Sequence, residues 1–417
     1  MPERNWAGNL TFKARTIRHP RDVEELSEIV ARAERVRVLG ARHSFTPIAD
    51  SSELVSLRSL PADVELDGTG GTVTCGAGIT YGELARELTQ AGFALANLPS
   101  LPHVSVAGAI ATATHGSGRG LGNLATSVER LELVTSNGEL RSLRRGEPDF
   151  PGAVVHLGAL GALTRVTLRV EPAYEVSQEV FEDLGWDALA RHFDELMAAG
   201  DSVSVFTSWG EVAGLAWVKR RCDRPLAGGV WGPAAFGARP ATGQLHPIPG
   251  GDPSACTPQL GAPGPWHERL PHFRPQFTPS AGDELQSEYL LARRDASAAI
   301  AAVRALAAEI RPLLYVSEIR AVAADDLWMS PEYGRESVAI HFTWHRRQAD
   351  VERVLAAVEE ALEPFAPRPH WGKLFVAPAT ALARRYERLD DFRSLIARMD
   401  PRGAFRNEWL EQRVLGG

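Results

Sequence analysis

The chain has 417 residues, of which 44% are hydrophobic and 23% charged, with a net charge of −7 and a pI near 6.0. That length exceeds one ordinary domain, so two are expected, with enough apolar residues for a sizeable core. The acidic balance argues against nucleic acid as the main partner, and no apolar run reaches membrane-span length.

Met1–Leu10 is polar and has no signal-peptide pattern. Cys75, Cys222 and Cys256 are odd in number, scattered, and form no metal motif. A soluble cytoplasmic protein is expected, with no membrane partner and no metal. Basic residues are nearly all arginine; the lysines are Lys13, Lys219 and Lys373.

Pro20–Ala33 spaces Val23, Leu26, Ile29 and Val30 as a helix does, with acidic residues at its start. Arg35–Leu39 alternates Arg and Val and ends on Leu, which predicts a short strand with one apolar face. The strand stops at Gly40. The run Gly40-Ala41-Arg42-His43-Ser44-Phe45 then carries His43 on a loop, where folds commonly place ligand contacts. Taken alone, His43 also reads as a polar turn residue.

Gly71–Gly78 predicts a strand. Thr80 and Glu83 form a capping box for a helix with Leu84 and Leu88 that closes near Gly92. No Gly-x-Gly-x-x-Gly opens a helix after a strand, which argues against a nicotinamide-type Rossmann site. Leu98–Gly122 is dominated by small residues from Ser105 to Gly118, so its backbone can approach a flat ligand closely. Thr112, Thr114, His115 and Ser117 add hydroxyl and imidazole partners. The segment is Ala- and Val-rich and is followed by a strand at Leu131–Thr135, so it reads as packed rather than as a linker. His156–Val170 is a Gly-bearing turn into a long alternating strand that closes the first region near Pro172.

Beyond Tyr174 come an amphipathic stretch, Trp186–Met197, and strands around Val203–Thr207 and Leu215–Arg220. Pro225–Pro279 is Pro- and Gly-rich without periodicity, and such a run either packs as a long loop or covers a site. Then follow a strand (Leu285–Leu291), a helix from Asp295, strands at Leu313–Val322 and Ser337–Trp344, and a helix from Ala349. This β-α-β-β-α order is most of a split βαβ, ferredoxin-like sheet.

Strand alternation places Glu318 and Arg320 on one face, and His341 and Thr343 on one face of the neighbouring strand. Ile340, Phe342 and Trp344 belong against the helices. The four polar residues therefore share the other face. It is a solvated sheet face, or a buried site if the first region covers it.

Three stretches, G-A-R-H-S-F, S-V-A-G-x-x-A-T-x-T-H-G-S-G and L-G-A-L-G-x-x-T-R-V-T-L, occur in the order and spacing of the FAD domain of the vanillyl-alcohol-oxidase-like flavoproteins, which this chain resembles. The resemblance implies FAD held by Gly40, Ala41, Arg42, His43, Ser44 and Phe45, by Ser105, Gly108, Thr112, Thr114, His115, Gly116, Ser117 and Gly118, and by Leu157, Gly158 and Leu163. It also implies a covalent bond from His43 to the isoalloxazine ring. Relatives carry glycine where this chain has Arg42, and a non-Gly residue at positive φ is costly. The Arg42 guanidinium is then a candidate for holding the pyrophosphate.

The likeness to the alditol (xylitol) oxidases covers the whole chain. It is carried by Asn5–Asn9, P-H-V-S-V-A-G, E-L-Q-S-E-Y at Glu284–Tyr289, E-I-R at Glu318–Arg320, H-F-T-W at His341–Trp344 and H-W-G-K at His370–Lys373. It implies an α+β, two-domain fold: an FAD domain over 1–173, a substrate domain with a large antiparallel sheet over 174–375, and a segment, 376–417, returning to the FAD domain. The implied reaction oxidises the terminal C1 alcohol of xylitol, sorbitol or similar polyols to the aldose, by hydride transfer to flavin N5, with O2 reduced to H2O2. A neutral, hydroxyl-rich substrate needs paired donors and acceptors, here Ser105, Glu318, Arg320, His341, Thr343 and Lys373. Lys373 and Arg320 would stabilise alkoxide character at O1, Glu318 would orient the C1–C2 end, and His341 would accept the proton. The expected partners are the polyol and O2, acting on a monomer. The alternatives are a sugar-1,4-lactone oxidase or dehydrogenase of the same fold and, from a different class, a non-enzymatic flavin carrier.

Overall fold

The computed structural model describes residues 3–225, 232–277 and 282–416. The N-terminal part builds three small sheets, one of them only the pairing of Phe93–Ala94 with Glu171–Pro172. In the first, Val36–Leu39 and Ile17–Arg18 flank Glu53–Ser56, all parallel. In the second, five antiparallel strands run in the order Val64–Asp67, Thr72–Gly76, Ala162–Arg169, Val128–Val134, Leu140–Arg144. The helix Val23–Arg32 is capped by Asp22, which accepts from the Glu25 amide, and buries Leu26 and Val30. The Thr80–Glu83 capping box forms and starts the helix Tyr81–Gln90.

Arg37 does not sit on a polar face of its strand. It is buried, and its guanidinium donates to the carbonyls of Leu157 (2.6 Å), Gly158 (2.7 Å), Phe405 (2.8 Å) and Ile48. Four backbone acceptors replace water around the charge, and burial still pushes Arg37 down to about 10. One side chain thus ties the strand before the His43 loop to the 157–158 turn and to the C-terminal segment. The Val36 amide also donates to the Ala404 carbonyl at 2.8 Å.

The rest of the chain is organised by a nine-stranded sheet. One half contains Glu175–Leu184, Ser202–Thr207 and Gly214–Arg221, with helices between the first two. The other contains Glu284–Ala292, Leu314–Val322 and Ser337–His345, again with helices between the first two. In each half the third strand pairs between the first and second. The halves join where Ser202–Thr207 pairs with Leu314–Val322. Arg239–Pro240 and Arg368–Pro369 add a short fourth strand outside the first strand of each half. The ferredoxin-like reading of residues 284–362 is therefore one copy of a duplicated split βαβ unit.

Two helix expectations change in detail. Trp186–Met197 is two short helices, Trp186–Arg191 and Phe193–Met197, broken at His192. The helix after Asp295 ends at Ala305 and resumes as Ala307–Ile310. The apolar residues keep to one buried face across each break, so their spacing does not register it. Conversely, Val106–Ala111 is a short helix inside the small-residue segment, where Ala and Gly leave no periodic contrast. Of the Pro- and Gly-rich run, residues 226–231 and 278–281 lie outside the described residues. Among the described residues, no helix is long and apolar enough to cross a membrane.

Candidate active site

Three adjacent strands set one row of side chains. Glu318, His341 and Glu288 are register partners across Leu314–Val322, Ser337–His345 and Glu284–Ala292, and Thr343 pairs with Gln286 in the next row. Ile340, Phe342 and Trp344 turn to the opposite face and are fully buried with the helix residues Val303, Val351 and Leu355. The polar face is covered rather than solvated. Ser100, Val104, Ser105 and His115 of the N-terminal part line the same cavity as Glu318, Arg320, His341 and Thr343. Gly118 of the small-residue segment bridges to Val322, with its amide 2.9 Å from the Ala321 carbonyl.

Lys373 arrives on the turn after Arg368–Pro369. That turn runs beside Glu284–Ala292, with the His370 amide on the Glu288 carbonyl (3.0 Å) and the Leu374 amide on the Gln286 carbonyl (2.8 Å). Lys373 Nζ donates to Glu288 Oε2 (2.7 Å) and His341 Nδ1 (3.0 Å). Glu288 also receives Arg320 through its Oε1, and His115 Nε2 stands 3.3 Å away. Burial drives the Glu288 carboxyl up, but Lys373, His115 and Arg320 hold it well below the carboxylate range. Burial likewise opposes ionised Glu318, and Arg320 and His272 overcome it. Burial lowers Lys373, with Glu288 pulling the other way. Burial and Lys373 push His341 well down, so its ring is neutral. Glu288 and Glu318 then balance Lys373 and Arg320 around the neutral ring of His341. Such a surface offers donors and acceptors without net charge, which suits a neutral hydroxylated ligand. His341 Nδ1 accepts from Lys373 and its Nε2 lies 3.1 Å from the Thr343 hydroxyl. A neutral His341 whose Nδ1 accepts carries its own proton on Nε2, so Nδ1 is its one site for a proton leaving a substrate hydroxyl.

The His43 loop borders this cavity and a second cleft, and the two meet along Leu39–His43 and Ser105. The loop carbonyls are taken by the N-terminal turn. Arg42 O accepts from the Trp6 amide (2.9 Å), Ser44 O from Asn5 Nδ2 (3.0 Å) and Phe45 O from Asn9 Nδ2 (3.2 Å). The amides of Ala41, Arg42, His43 and Ser44 donate to no described residue. A row of free amides at a loop is an anion cradle, and these residues fit the pyrophosphate of a dinucleotide. A Cβ on Gly40 would lie 2.4 Å from the Ser105 hydroxyl, so glycine is needed for that approach. His43 stacks on Trp6 with ring centroids 4.9 Å apart. Burial and His103 push it down to about 4, leaving a neutral imidazole. The Phe45 amide donates to the Gly372 carbonyl at 2.7 Å, and the Thr46 hydroxyl to the Trp371 carbonyl at 3.2 Å. The His43 loop and the Lys373 turn are thereby fastened to each other.

Gly40 through Phe45, Ser105, Gly108, Thr112, Thr114, His115, Leu157 and Gly158 all line the first cavity. Four expected cofactor residues do not. The Ser117 hydroxyl is spent on the Val203 carbonyl. Gly116 is pressed against Asn97 and Leu98, Gly118 bridges to Val322 of the nine-stranded sheet, and Leu163 is buried in the five-stranded sheet's core. Arg42 adopts φ 62, the strained region expected, and its guanidinium pairs with Glu3. Glu288 and His272 are additions. Glu288 stood inside the quoted E-L-Q-S-E-Y run, and alternation from Gln286 would have put it on the site face. His272 belongs to the aperiodic run and gave no signal.

Two family models match the chain: an FAD binding domain over residues 14–144 and D-arabinono-1,4-lactone oxidase over residues 284–413. The alditol oxidase of Streptomyces sp. (strain IKD472 / FERM P-14339) is 48% identical over 417 residues, covering 99% of both chains. The L-gulono-1,4-lactone dehydrogenase of Mycobacterium tuberculosis (strain ATCC 25618 / H37Rv) is 29% identical over 429 residues, covering 99% of this chain and 98% of that protein. Among solved structures, cholesterol oxidase from B. sterolicum superposes with a TM-score of 0.79 at 17% identity, over 99% of this chain and 96% of that one, a likeness of fold.

Proposed function

Because this chain belongs to the alditol oxidase family of FAD-dependent oxidoreductases, we propose that it oxidises the terminal C1 alcohol of alditols such as xylitol and sorbitol to the aldose. The observation that carries the reading is the charge-balanced cavity in which Glu318, Arg320, His341, Thr343 and Lys373 converge beside the His43 loop. FAD, which Gly40–Phe45, Ser105, Gly108, Leu157 and Gly158 would hold, would supply the two-electron acceptor for the C1 hydride, with O2 as the final oxidant giving H2O2. The protein's share is positioning and charge. Glu318 and Thr343 orient the C1–C2 hydroxyls, and Ser105 lines the opposite wall. Lys373 and Arg320 stabilise the negative charge that grows on O1. The O1 proton goes to Nδ1 of neutral His341, which Lys373 vacates as it turns to O1.

His43 is the covalent attachment point in this proposal. It is neutral, lines the cavity and is held by the Trp6 stack. The enzyme is taken to be a cytoplasmic monomer, consistent with Cys75, Cys222 and Cys256 all being free thiols. Sugar-1,4-lactone oxidation on the same face is the second reading, favoured by the lactone-oxidase match over residues 284–413.

Oxygen uptake and peroxide formation on adding xylitol, sorbitol or a sugar-1,4-lactone test the proposal. Turnover with the polyols at far higher kcat/KM supports it. Turnover with the lactone alone, or none with any of them, overturns it.

A further inference from the structure

Glu318 is held by a side chain from outside the site strands. His272 lies in the Pro- and Gly-rich run and is 4% exposed. Its Nε2 is 2.9 Å from Glu318 Oε1. The ring meets Phe206 and Trp217 edge-on, with centroids 5.3 and 5.5 Å away. Its Nδ1 is buried and unpartnered. Burial, with Lys219 and Arg320 close by, pushes His272 down to about 4. A neutral imidazole facing a carboxylate with one nitrogen carries its proton there, so Nε2 donates to Oε1.

The backbone under this histidine is tightly supported. Buried Lys219 Nζ donates to the carbonyls of Leu270 (2.5 Å) and Pro271 (3.0 Å). The Thr257 hydroxyl donates to the Pro271 carbonyl at 2.8 Å, and the Thr257 amide to the His272 carbonyl at 3.0 Å. Gln178 Nε2 in turn donates to the Thr257 carbonyl at 3.1 Å. Lys219, Thr257 and Gln178 have no part in the chemistry proposed above. What they share is the placement of residues 270–272. On the carboxylate itself, Arg320 Nε approaches the same Oε1, at 3.6 Å. Oε2 has no described partner.

The geometry points to His272 as a positioning residue that engages Glu318 Oε1 so that Oε2 alone is presented to a substrate hydroxyl. It ties polyol recognition to the covering segment. The inference rests on the polyol reading of the site. His272 touches no reacting atom in it, so its loss weakens binding and leaves the limiting rate of flavin reduction little changed. A hydrogen bond to a charged group is worth a factor on the order of 10 to 100 in binding.

The test is xylitol binding to dithionite-reduced protein, which cannot oxidise it, measured by calorimetry, alongside KM and the limiting rate for the oxidised enzyme. His272→Phe keeps a ring and removes the donor. His272→Gln keeps an N–H at the reach of Nε2, whereas His272→Asn is too short. Affinity should fall about tenfold or more in the Phe and Asn variants and recover in the Gln variant, with KM following and the limiting rate steady. Affinity in the Phe and Asn variants equal to the parent's overturns the inference. So does a Gln variant as weak as the Asn variant, which would mark a packing role. The Gln–Asn comparison decides the matter even if the Phe variant fails to fold. A parent that neither binds nor oxidises the polyol removes the functional reading and this inference with it. A normal parent with normal Phe and Asn variants removes this inference alone.

Discussion

Lys373 Nζ lies 2.7 Å from Glu288 Oε2, and the carboxylate is wholly buried. The cation assigned to the developing alkoxide is therefore already balanced in the resting site. Its charge is fixed in place rather than free to recruit anions, which is what preorganised stabilisation of a transient negative charge requires.

Glu288→Gln keeps the shape of this side chain and removes its charge. Lys373 and Arg320 then face each other across a buried amide. Losing one partner of a buried pair costs about 3 to 5 kcal/mol, so the urea midpoint should drop clearly. Glu288 is also what holds Lys373 up against burial. The alkaline limb of flavin reduction, where the ammonium is lost, should move to lower pH. An unchanged midpoint and pH profile would show that Glu288 is a bystander.

His43→Ala should abolish covalent flavin. Acid-precipitated parent protein stays yellow in this account and the variant precipitate does not. Colour that washes out of the parent contradicts the covalent assignment.

Arg42→Gly should be tolerated or stabilising. Arg42 occupies φ 62, which glycine adopts at no steric cost, and relief of that strain is worth about 1 kcal/mol. What is lost is a half-exposed pair with Glu3, worth at most about 1 kcal/mol. A raised or unchanged melting temperature with full FAD loading is expected; a large loss of either assigns Arg42 a role in holding the cofactor.

Acid should weaken the fold before the carboxylates are protonated. Burial, aided by Arg37 beside His156 and by Lys219 beside His272, pushes both imidazoles from 6.5 to about 4. Between those values the unfolded chain binds protons that the folded chain does not, so stability is lost as pH falls through that window. Glu288 and Glu318 are shifted the other way from the usual buried acid, below 4.5, and their contribution is lost only at lower pH. Urea midpoints should decline from about pH 6.5 downward; a flat response to about pH 4.5 contradicts the assignment.

Two strands of the site, Leu314–Val322 and Ser337–His345, were legible because their site residues alternate with apolar ones. Ile340, Phe342 and Trp344 against His341 and Thr343 permit one orientation only, and Glu318 with Arg320 follow in register. The capping box at Thr80 was legible because its chemistry is local. Three things were not. Three of the four carbonyls that Arg37 engages belong to segments more than a hundred residues away. The asparagines of Asn5–Asn9 gain meaning only from the His43 loop they hold. His272 sits in a run without periodicity, where position is set by Lys219, Thr257 and Gln178 rather than by any pattern along the chain.

The central claim is that the polar face carrying Glu318 and Lys373 is where a polyol gives up its hydride. Anaerobic stopped-flow reduction of the flavin by saturating xylitol tests it most directly, comparing the parent with Lys373→Met and Glu318→Gln. Methionine keeps most of the lysine's length and drops its charge. Removing one preorganised electrostatic partner costs on the order of 10² to 10³ in rate. The account predicts prompt bleaching of the parent, a loss of that size in the limiting rate for Lys373→Met, and weakened turnover for Glu318→Gln with FAD still bound. A parent whose flavin stays oxidised, or a Lys373→Met protein reduced at close to the parent rate, contradicts it.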